Sequence, residues 1–253
     1  MEKDHLKGEV KDYWEQEPCG SGVAQSAKYT KEYFDEIEEH RYRVEPFIHR
    51  FAQFTRYRGK KVLEVGVGAG TDHLQFARAG ALLSGIDLTE AAVAMVTKRL
   101  ALEGLTSDLR RADAEHLPFE DGSFDLVYSW GVLHHTPDTE KALAEVHRVC
   151  KPGGKVCVML YHSASLLGLK LWFVKGPMKF KPFRSVKDVI YHNMESIGTR
   201  AYTRREAGNM FEKLRHVRVT PILTSYDLVG MPCCLANYLP QAWGWFLVVQ
   251  AEK

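Results

Sequence analysis

Three glycines at alternate positions in Val62-Leu63-Glu64-Val65-Gly66-Val67-Gly68-Ala69-Gly70-Thr71 join a β-rich run to a helical one, and no other feature of the chain constrains its fold as much. Glycine lets the backbone turn tightly and leaves open to a ligand the main-chain atoms that a β-carbon would shield. The strand-to-helix alternation continues downstream. Strands are expected at 60–66, 81–88, 108–114, 124–130 and 155–162, and helices at 71–79, 89–103 and 138–150. That order points to a parallel α/β sheet. Thr89 with Glu90 behind it, and Asp138, serve as N-caps and put acids at the positive end of the helix dipole. Pro152-Gly153-Gly154 stops the third helix and turns the chain into the next strand.

Asp87 lies 21 residues beyond Gly66, at the end of the second strand. A doubly wound sheet presents a carboxylate there to ribose hydroxyls. The glycine spacing is G-x-G-x-G, whereas dinucleotide sites use G-x-G-x-x-G, and Glu64 stands just before the loop. A pyrophosphate wants bare amides and a helix dipole, but an acid suits a ligand carrying a positive amino or sulfonium group. The loop therefore favours S-adenosylmethionine over NAD.

The segments LEVGVGAG, GIDLT, ADAEHLPFEDGSFDLVYSWGVLHHTPD, ALAEVHRV and CKPGGKVCV follow one another between about Lys60 and Tyr161. In that order they resemble the class I S-adenosylmethionine-dependent methyltransferases of the small-molecule (type 11) group. The resemblance implies an enzyme of α/β class: a Rossmann-like, seven-stranded, mostly parallel sheet flanked by helices, with N-terminal and inserted caps. It implies that Glu64 and the backbone at Gly66, Gly68 and Gly70 surround the methionine moiety, that Asp87 takes the ribose diol and that Leu88 packs on the adenine. Asp113 accepts from the adenine amino group with Ala114 beside it, and Ser129-Trp130-Gly131 lines the methionine side. Trp130 reads equally well as a core aromatic. No metal site is expected.

Four segments follow from this reading: an N-terminal helical cap (1–58), the cofactor-binding core (59–162), an inserted lid (163–202), and a C-terminal helix with strands completing the core (203–253). Thr203-Arg204-Arg205-Glu206 is a capping box opening a helix to about Leu214. Strands are expected at 215–222 and 243–249, separated by an excursion too long for a tight hairpin and suited to a site or an interface.

Methyl transfer from a sulfonium is an in-line displacement, so the protein supplies alignment and, for an unactivated hydroxyl, a base. His134, His135, Tyr161 and His162, at the ends of strands four and five, are the catalytic candidates. Tyr13, Trp14, Tyr29 and Tyr33 in the N-terminal cap are the substrate-binding candidates, although a cap also needs aromatics to bury itself. The acceptor is expected to be an apolar, aromatic or soft thiol or sulfide molecule. The alternatives are C-methylation of a membrane-associated quinone or lipid, an NAD-linked oxidoreductase, and a protein that binds the cofactor without catalysis.

Composition narrows the partners. With 34 Lys and Arg against 32 Asp and Glu, the net charge is +2, which gives no global reason to expect nucleic acid. No basic run leads into an apolar stretch at the start, and no stretch is long enough to span a bilayer, so a cytoplasmic setting is expected. Cys19, Cys150, Cys157, Cys233 and Cys234 show no metal-ligand spacing. Cys233-Cys234 with Cys19 could hold a soft metalloid, but the pattern of the arsenite methyltransferases is missing. The near-neutral total conceals Ser163–Lys187, where Lys170, Lys175, Lys179, Lys181, Arg184 and Lys187 meet no acid and alternate with leucines and aromatics. Such a segment suits peripheral contact with an anionic membrane, a lid or a homodimer contact.

Overall fold

Five strands form the parallel part of one sheet, with the charged β3 at its edge: β1 (Lys61–Val65), β2 (Leu82–Asp87), β3 (Asp108–Arg111), β4 (Phe124–Trp130) and β5 (Cys150–His162). The computed structural model describes residues 2–181, 183–230 and 238–253. β1 takes β2 on one side and β4 on the other, Val62 pairing with Leu83 and with Leu126. Strand order therefore reverses beside β1, which opens a crevice at the carboxyl ends of the strands.

The remaining strands are β6 (Ala201–Tyr202), β7 (Arg215–Ile222) and β8 (Phe246–Glu252). β8 lies antiparallel between β5 and β7, giving the order β3-β2-β1-β4-β5-β8-β7, while the two-residue β6 pairs with the end of β5. The expected seven strands are present, and β6 is an eighth too short to register as a periodic pattern.

Helices cover both faces. In chain order they are α1 (Glu2–Gln16), α2 (Lys31–Val44), α3 (Ile48–Ala52), α4 (Thr71–Arg78), α5 (Glu90–Leu102), α6 (Thr139–Val149), α7 (Leu166–Lys175), α8 (Val186–Asn193), α9 (Arg204–Met210) and α10 (Ser225–Leu228). The caps form as the sequence suggests. Thr89 accepts from the Ala92 amide, Asp138 from the Lys141 amide, and Thr203 with Glu206 makes a reciprocal capping box.

Successive strand residues point to opposite faces, so each strand feeds two cores. Val62, Leu126, Tyr128, Met159 and Val248 join Phe54 and Phe76 in one. Leu63, Val65, Val127, Val158 and Leu247 join Ala142, Leu143 and Val146 of α6 in the other. Burial on both faces explains why the central strands read as unbroken apolar runs.

Several boundaries differ from expectation. β5 begins at Cys150 because Gly153 (φ 76°) and Gly154 let the chain stay extended through a register shift opposite Phe124 and Leu126. β3 stops at Arg111, and α9 stops at Met210 where the chain turns toward β7. The last strand is displaced to 246–252 because Gln241–Trp243 forms a short 3-10 helix after Pro240. Among the described residues no helix is long and apolar enough to cross a membrane. Cys233 and Cys234 lie outside the described residues.

Candidate active site

A cavity of about 380 Å³ occupies the crevice at the carboxyl ends of β1, β2, β4 and β5, roofed by α1, α2 and the segment after β5. Glu64, Gly66, Gly68, Gly70, Asp87, Leu88, Asp113, Ala114 and Trp130 all line it. The glycines there have different reasons to be glycine. Gly66 (φ 82°) has no room for a side chain, since a Cβ would lie 2.3 Å from Cγ2 of Val132; at Gly70 (φ 73°) it would lie 2.7 Å from Cγ2 of Val96. At Gly68 the nearest protein atoms would be 3.5 and 3.6 Å away, on Cys19, so that position faces open space in the cavity.

The acids behind the loop are held firmly. Asp87 accepts from the Gly68 amide at 3.1 Å, and from the amide and hydroxyl of Thr89 at 3.0 and 2.8 Å. Burial outweighs those bonds and raises its carboxyl above the usual range. Glu64 is not the bare carboxylate suggested by its position before the loop. It meets Nδ1 of His73 at 2.9 Å, and Nε2 of that ring reaches Ser107 Oγ at 2.9 Å. Asp113 is bridged at 2.6 Å to Lys7, which also reaches Glu115 at 2.7 Å, and its other oxygen takes the Glu115 amide. In this conformation α1 thus covers the place expected to receive an adenine amino group.

On the β4–β5 side α2 contributes a polar cluster. Arg41 reaches Asp72 at 3.1 Å and Glu45 at 3.3 Å; Glu45 accepts from the Trp130 indole N–H at 2.9 Å; Asp72 accepts from the hydroxyls of Tyr42 and Tyr128 at 3.0 and 2.7 Å. Trp130 is therefore a cavity wall tied down by its nitrogen as well as a packed aromatic. Beyond it Trp14, Met194, Tyr226, Trp245 and Phe246 form an apolar chamber, with Tyr161 stacked on Trp245 at 4.4 Å.

An acid, Glu195, and an imidazole, His135, face this chamber beside the Tyr161 hydroxyl. Tyr161 donates its hydroxyl to Glu195 at 3.0 Å, and the surrounding protein raises the Glu195 carboxyl above its ordinary range although 45% of the side chain stays accessible. His135 stands 3.9 Å from Glu195 through Nε2. Its Nδ1 lies 3.0 Å from Thr199 Oγ1, whose own proton goes to the Ser196 carbonyl at 2.6 Å. Ser196 Oγ lies closer still to Nδ1, at 2.9 Å, so this nitrogen is held between two hydroxyls while Nε2 faces the chamber. Burial holds His135 down to about 4, so the ring is neutral near pH 7.

The other candidates lie elsewhere. His134 is fully buried behind Tyr161, ring centres 3.9 Å apart, and among the described residues neither ring nitrogen has a well-aligned hydrogen-bond partner; it does not line the cavity. His162 donates from Nδ1 to the Gly244 carbonyl at 2.9 Å and is also outside the cavity. Side chains alternate along β5, so His162 points away from the side of Tyr161, and the 3-10 turn Leu133–His135 turns His134 inward while His135 faces the cavity. Of the cap aromatics only Trp14 lines the cavity. Tyr33 is buried with Phe34 and Ile37, Tyr29 lies under the Lys98 ammonium, and Tyr13 is exposed beside Trp14. Tyr33 packs the cap itself, and the rings of Tyr13 and Tyr29 stay partly open to solvent.

Sequence reasoning missed Arg41, Glu45, His73 and Glu195. Arg41 and Glu45 sit i, i+4 at the end of α2, a visible pair with no sign of what it faces, and Glu195 lies in an irregular stretch without periodicity. Counted together, six carboxyl groups (Glu45, Glu64, Asp72, Asp87, Asp113, Glu195) line the cavity against two fixed cations, Lys7 and Arg41. An acidic chamber with a Cβ-free wall fits a cationic nucleoside such as S-adenosylmethionine and opposes a pyrophosphate. Asp87 and the Gly68 wall would hold the nucleoside end, and Glu64 and Glu45 would face the positive methionine end.

Residues 63–158 match the family model described as a methyltransferase domain. Phthiotriol/phenolphthiotriol dimycocerosates methyltransferase 1 of Mycobacterium ulcerans is 44% identical over 108 residues, covering 42% of this chain and 39% of that protein. The Mycobacterium leprae protein of the same description is 42% identical over the same coverage. The match thus spans well under half the length of these relatives. A solved S-adenosylmethionine-dependent methyltransferase from Thermotoga maritima superposes with a TM-score of 0.57 at 18% identity, over 96% of this chain and 99% of that one. The [4+2]-cyclase SpnF superposes with 0.58 at 16% identity, over 99% and 94%. At such identities the likeness establishes the fold, and the cyclase shows that the fold alone does not determine the reaction.

Proposed function

We propose that this chain, whose residues 63–158 match the methyltransferase-domain model, is a class I S-adenosylmethionine-dependent enzyme that methylates a hydroxyl oxygen on an apolar small molecule. The observation that carries this reading is the carboxyl of Glu195, held by the Tyr161 hydroxyl at 3.0 Å and set, with 45% of its side chain still accessible, at a chamber otherwise walled by Trp14, Met194, Tyr226, Trp245 and Phe246. Soft thiols and activated carbons need no base, whereas an unactivated hydroxyl does. The names of the mycobacterial relatives, a triol and a phenol, support an oxygen acceptor.

S-adenosylmethionine, when bound, supplies an electrophilic methyl group on a sulfonium. The protein's own part is to hold the acceptor and manage one proton. The aromatic walls orient the acceptor, Glu195 takes its hydroxyl proton, and Nε2 of neutral His135, 3.9 Å from Glu195, offers a second hydrogen bond. The same reading includes peripheral contact of 163–187 with a lipid surface, supported by the exposed lysines of that segment.

The test is release of S-adenosylhomocysteine across a panel of phenols, aliphatic alcohols, thiols and quinols. Turnover with hydroxyl acceptors, lost in Glu195→Gln, is expected. Turnover confined to thiols or quinols would remove the oxygen reading, and tight NAD binding with none for S-adenosylmethionine would remove methyl transfer altogether.

A further inference from the structure

α7 is apolar on two opposite sides. Leu167 and Leu171, one turn apart, pack on the core, and Leu167 also lines the cavity. Leu169 and Phe173, also one turn apart and rotated by two residues, face outward and are about half exposed. The chain that follows continues the outward face. Met178 is exposed, Phe180 is 94% exposed and Phe183 fully so. Phe180 has φ 58°, a left-handed conformation that bulky residues avoid, and its ring gains no burial in return. The backbone presenting these rings is held: the Trp172 indole donates to the Arg184 carbonyl at 2.6 Å, and the Lys181 amide to the Gly176 carbonyl at 3.0 Å.

The charges of the segment divide into two groups. Arg184 pairs with Asp188, Lys187 pairs with Glu206, and Lys170 donates to the carbonyls of Asp227 and Val229. Lys175, Lys179 and Lys181 are exposed and have no acidic partner among the described residues. The unpaired positive charges therefore lie on the same short stretch as the exposed Phe173, Met178, Phe180 and Phe183.

We infer that the outer face of α7, together with Met178, Phe180 and Phe183, docks on an anionic lipid bilayer, with the aromatic rings at headgroup depth and the three lysines on the lipid phosphates. The inference rests on the lipid-surface contact proposed above and assigns it to a face. Apolar rings ringed by unpaired lysines have the composition of an interfacial segment. A second copy of the chain fits less well, because a two-fold contact would bring this lysine cluster against itself. The inner face of the same helix roofs the cavity, so a docked protein would have its acceptor chamber one helix away from the lipid.

The experiment is flotation of the full chain with phosphatidylcholine vesicles, with and without phosphatidylglycerol, at low and high salt. Binding is expected only to the anionic vesicles and is expected to be released by salt. Replacing Lys175, Lys179 and Lys181 together by Gln should weaken it about a hundredfold, and Phe180→Ser with Phe183→Ser should abolish it, both variants keeping wild-type turnover of a water-soluble hydroxyl acceptor. Absence of wild-type flotation, or flotation unchanged in both variants, would overturn the docking. So would a wild-type dimer in sedimentation equilibrium that the two Ser substitutions convert to a monomer. Turnover without flotation would dismiss this face and leave methyl transfer standing; flotation without turnover of any acceptor would do the reverse.

Discussion

Oε2 of Glu64 lies 2.9 Å from Nδ1 of His73, with both side chains buried. The far side of the ring decides the proton count. Ser107 Oγ is 2.8 Å from the Leu83 carbonyl, which can only accept, so the hydroxyl proton points there and Nε2 of His73 must be the N–H toward Ser107. One further proton lies between Nδ1 and Glu64, and the pair is neutral whichever atom holds it. Burial drives Glu64 well above the carboxylate range and His73 down to about 3, which puts that proton on Glu64. A cation entering the cavity meets a polarisable neutral pair. Glu64→Gln reproduces the donor of the protonated acid, so its thermal stability should fall by about 1 kcal/mol or less, while calorimetry should show S-adenosylmethionine binding weakened about tenfold. Equal affinity in the two proteins would mean that the proton never leaves Glu64.

The same pair fixes a pH dependence of stability. Unfolded, Glu and His titrate near about 4.3 and 6.5. The raised Glu64 contributes stability that is lost as pH rises above its unfolded value; the lowered His73 contributes stability that is lost as pH falls below its own. Between those two values the folded and unfolded states each hold one proton and the effects cancel. Denaturation midpoints should therefore show the pair's contribution flat from about pH 4.3 to 6.5 and declining on both sides. In Glu64→Gln the alkaline decline should vanish and the acid decline should begin at about 6.5. Superimposable pH curves for the two proteins would refute the shared proton.

Gly66 and Gly68 separate two uses of glycine. Gly66→Ala drives a methyl into Val132 in a left-handed conformation and should cost about 2–4 kcal/mol in urea denaturation, partly recovered by adding Val132→Ala. Gly68→Ala meets only Cys19 at ordinary contact distance and should cost about 1 kcal/mol through its φ of 52°. Its methyl enters the cavity, so cofactor affinity should fall more than stability does. Similar unfolding costs for the two variants would contradict this division.

What was readable in advance follows from how locally each position is set. Gly66, Asp87, Ala114 and Trp130 stand at or just beyond strand ends, where periodicity of 2 and the glycine punctuation fix both place and face, and each lines the cavity. His134 and His135 show the limit of that reasoning: adjacent in sequence, they diverge in a single 3-10 turn, and only the packing of Tyr161 decides which one is sealed off. Arg41 and Glu195 come from cap segments whose approach to the sheet depends on contacts distant in sequence, which no local pattern encodes. The acid-free run 163–187 was legible as composition, but half of its charges are met by Asp188, Glu206 and two carbonyls supplied from outside it.

Glu195 and Tyr161 make the sharpest kinetic test. If Glu195 takes the acceptor proton, kcat/KM for a hydroxyl acceptor should rise with pH through the raised pKa of this carboxyl and then level off. Glu195→Gln should lower kcat by about a hundredfold to a thousandfold and abolish that limb. Tyr161→Phe removes a donor that stabilises the charged carboxylate, so the limb should move to higher pH while the plateau falls much less. His135→Gln supplies the control, since a ring held down to about 4 is already neutral across this range and its loss should lower the plateau without moving the limb. A limb that shifts with His135 and ignores Tyr161 would transfer the proton to the imidazole and leave Glu195 a structural acid.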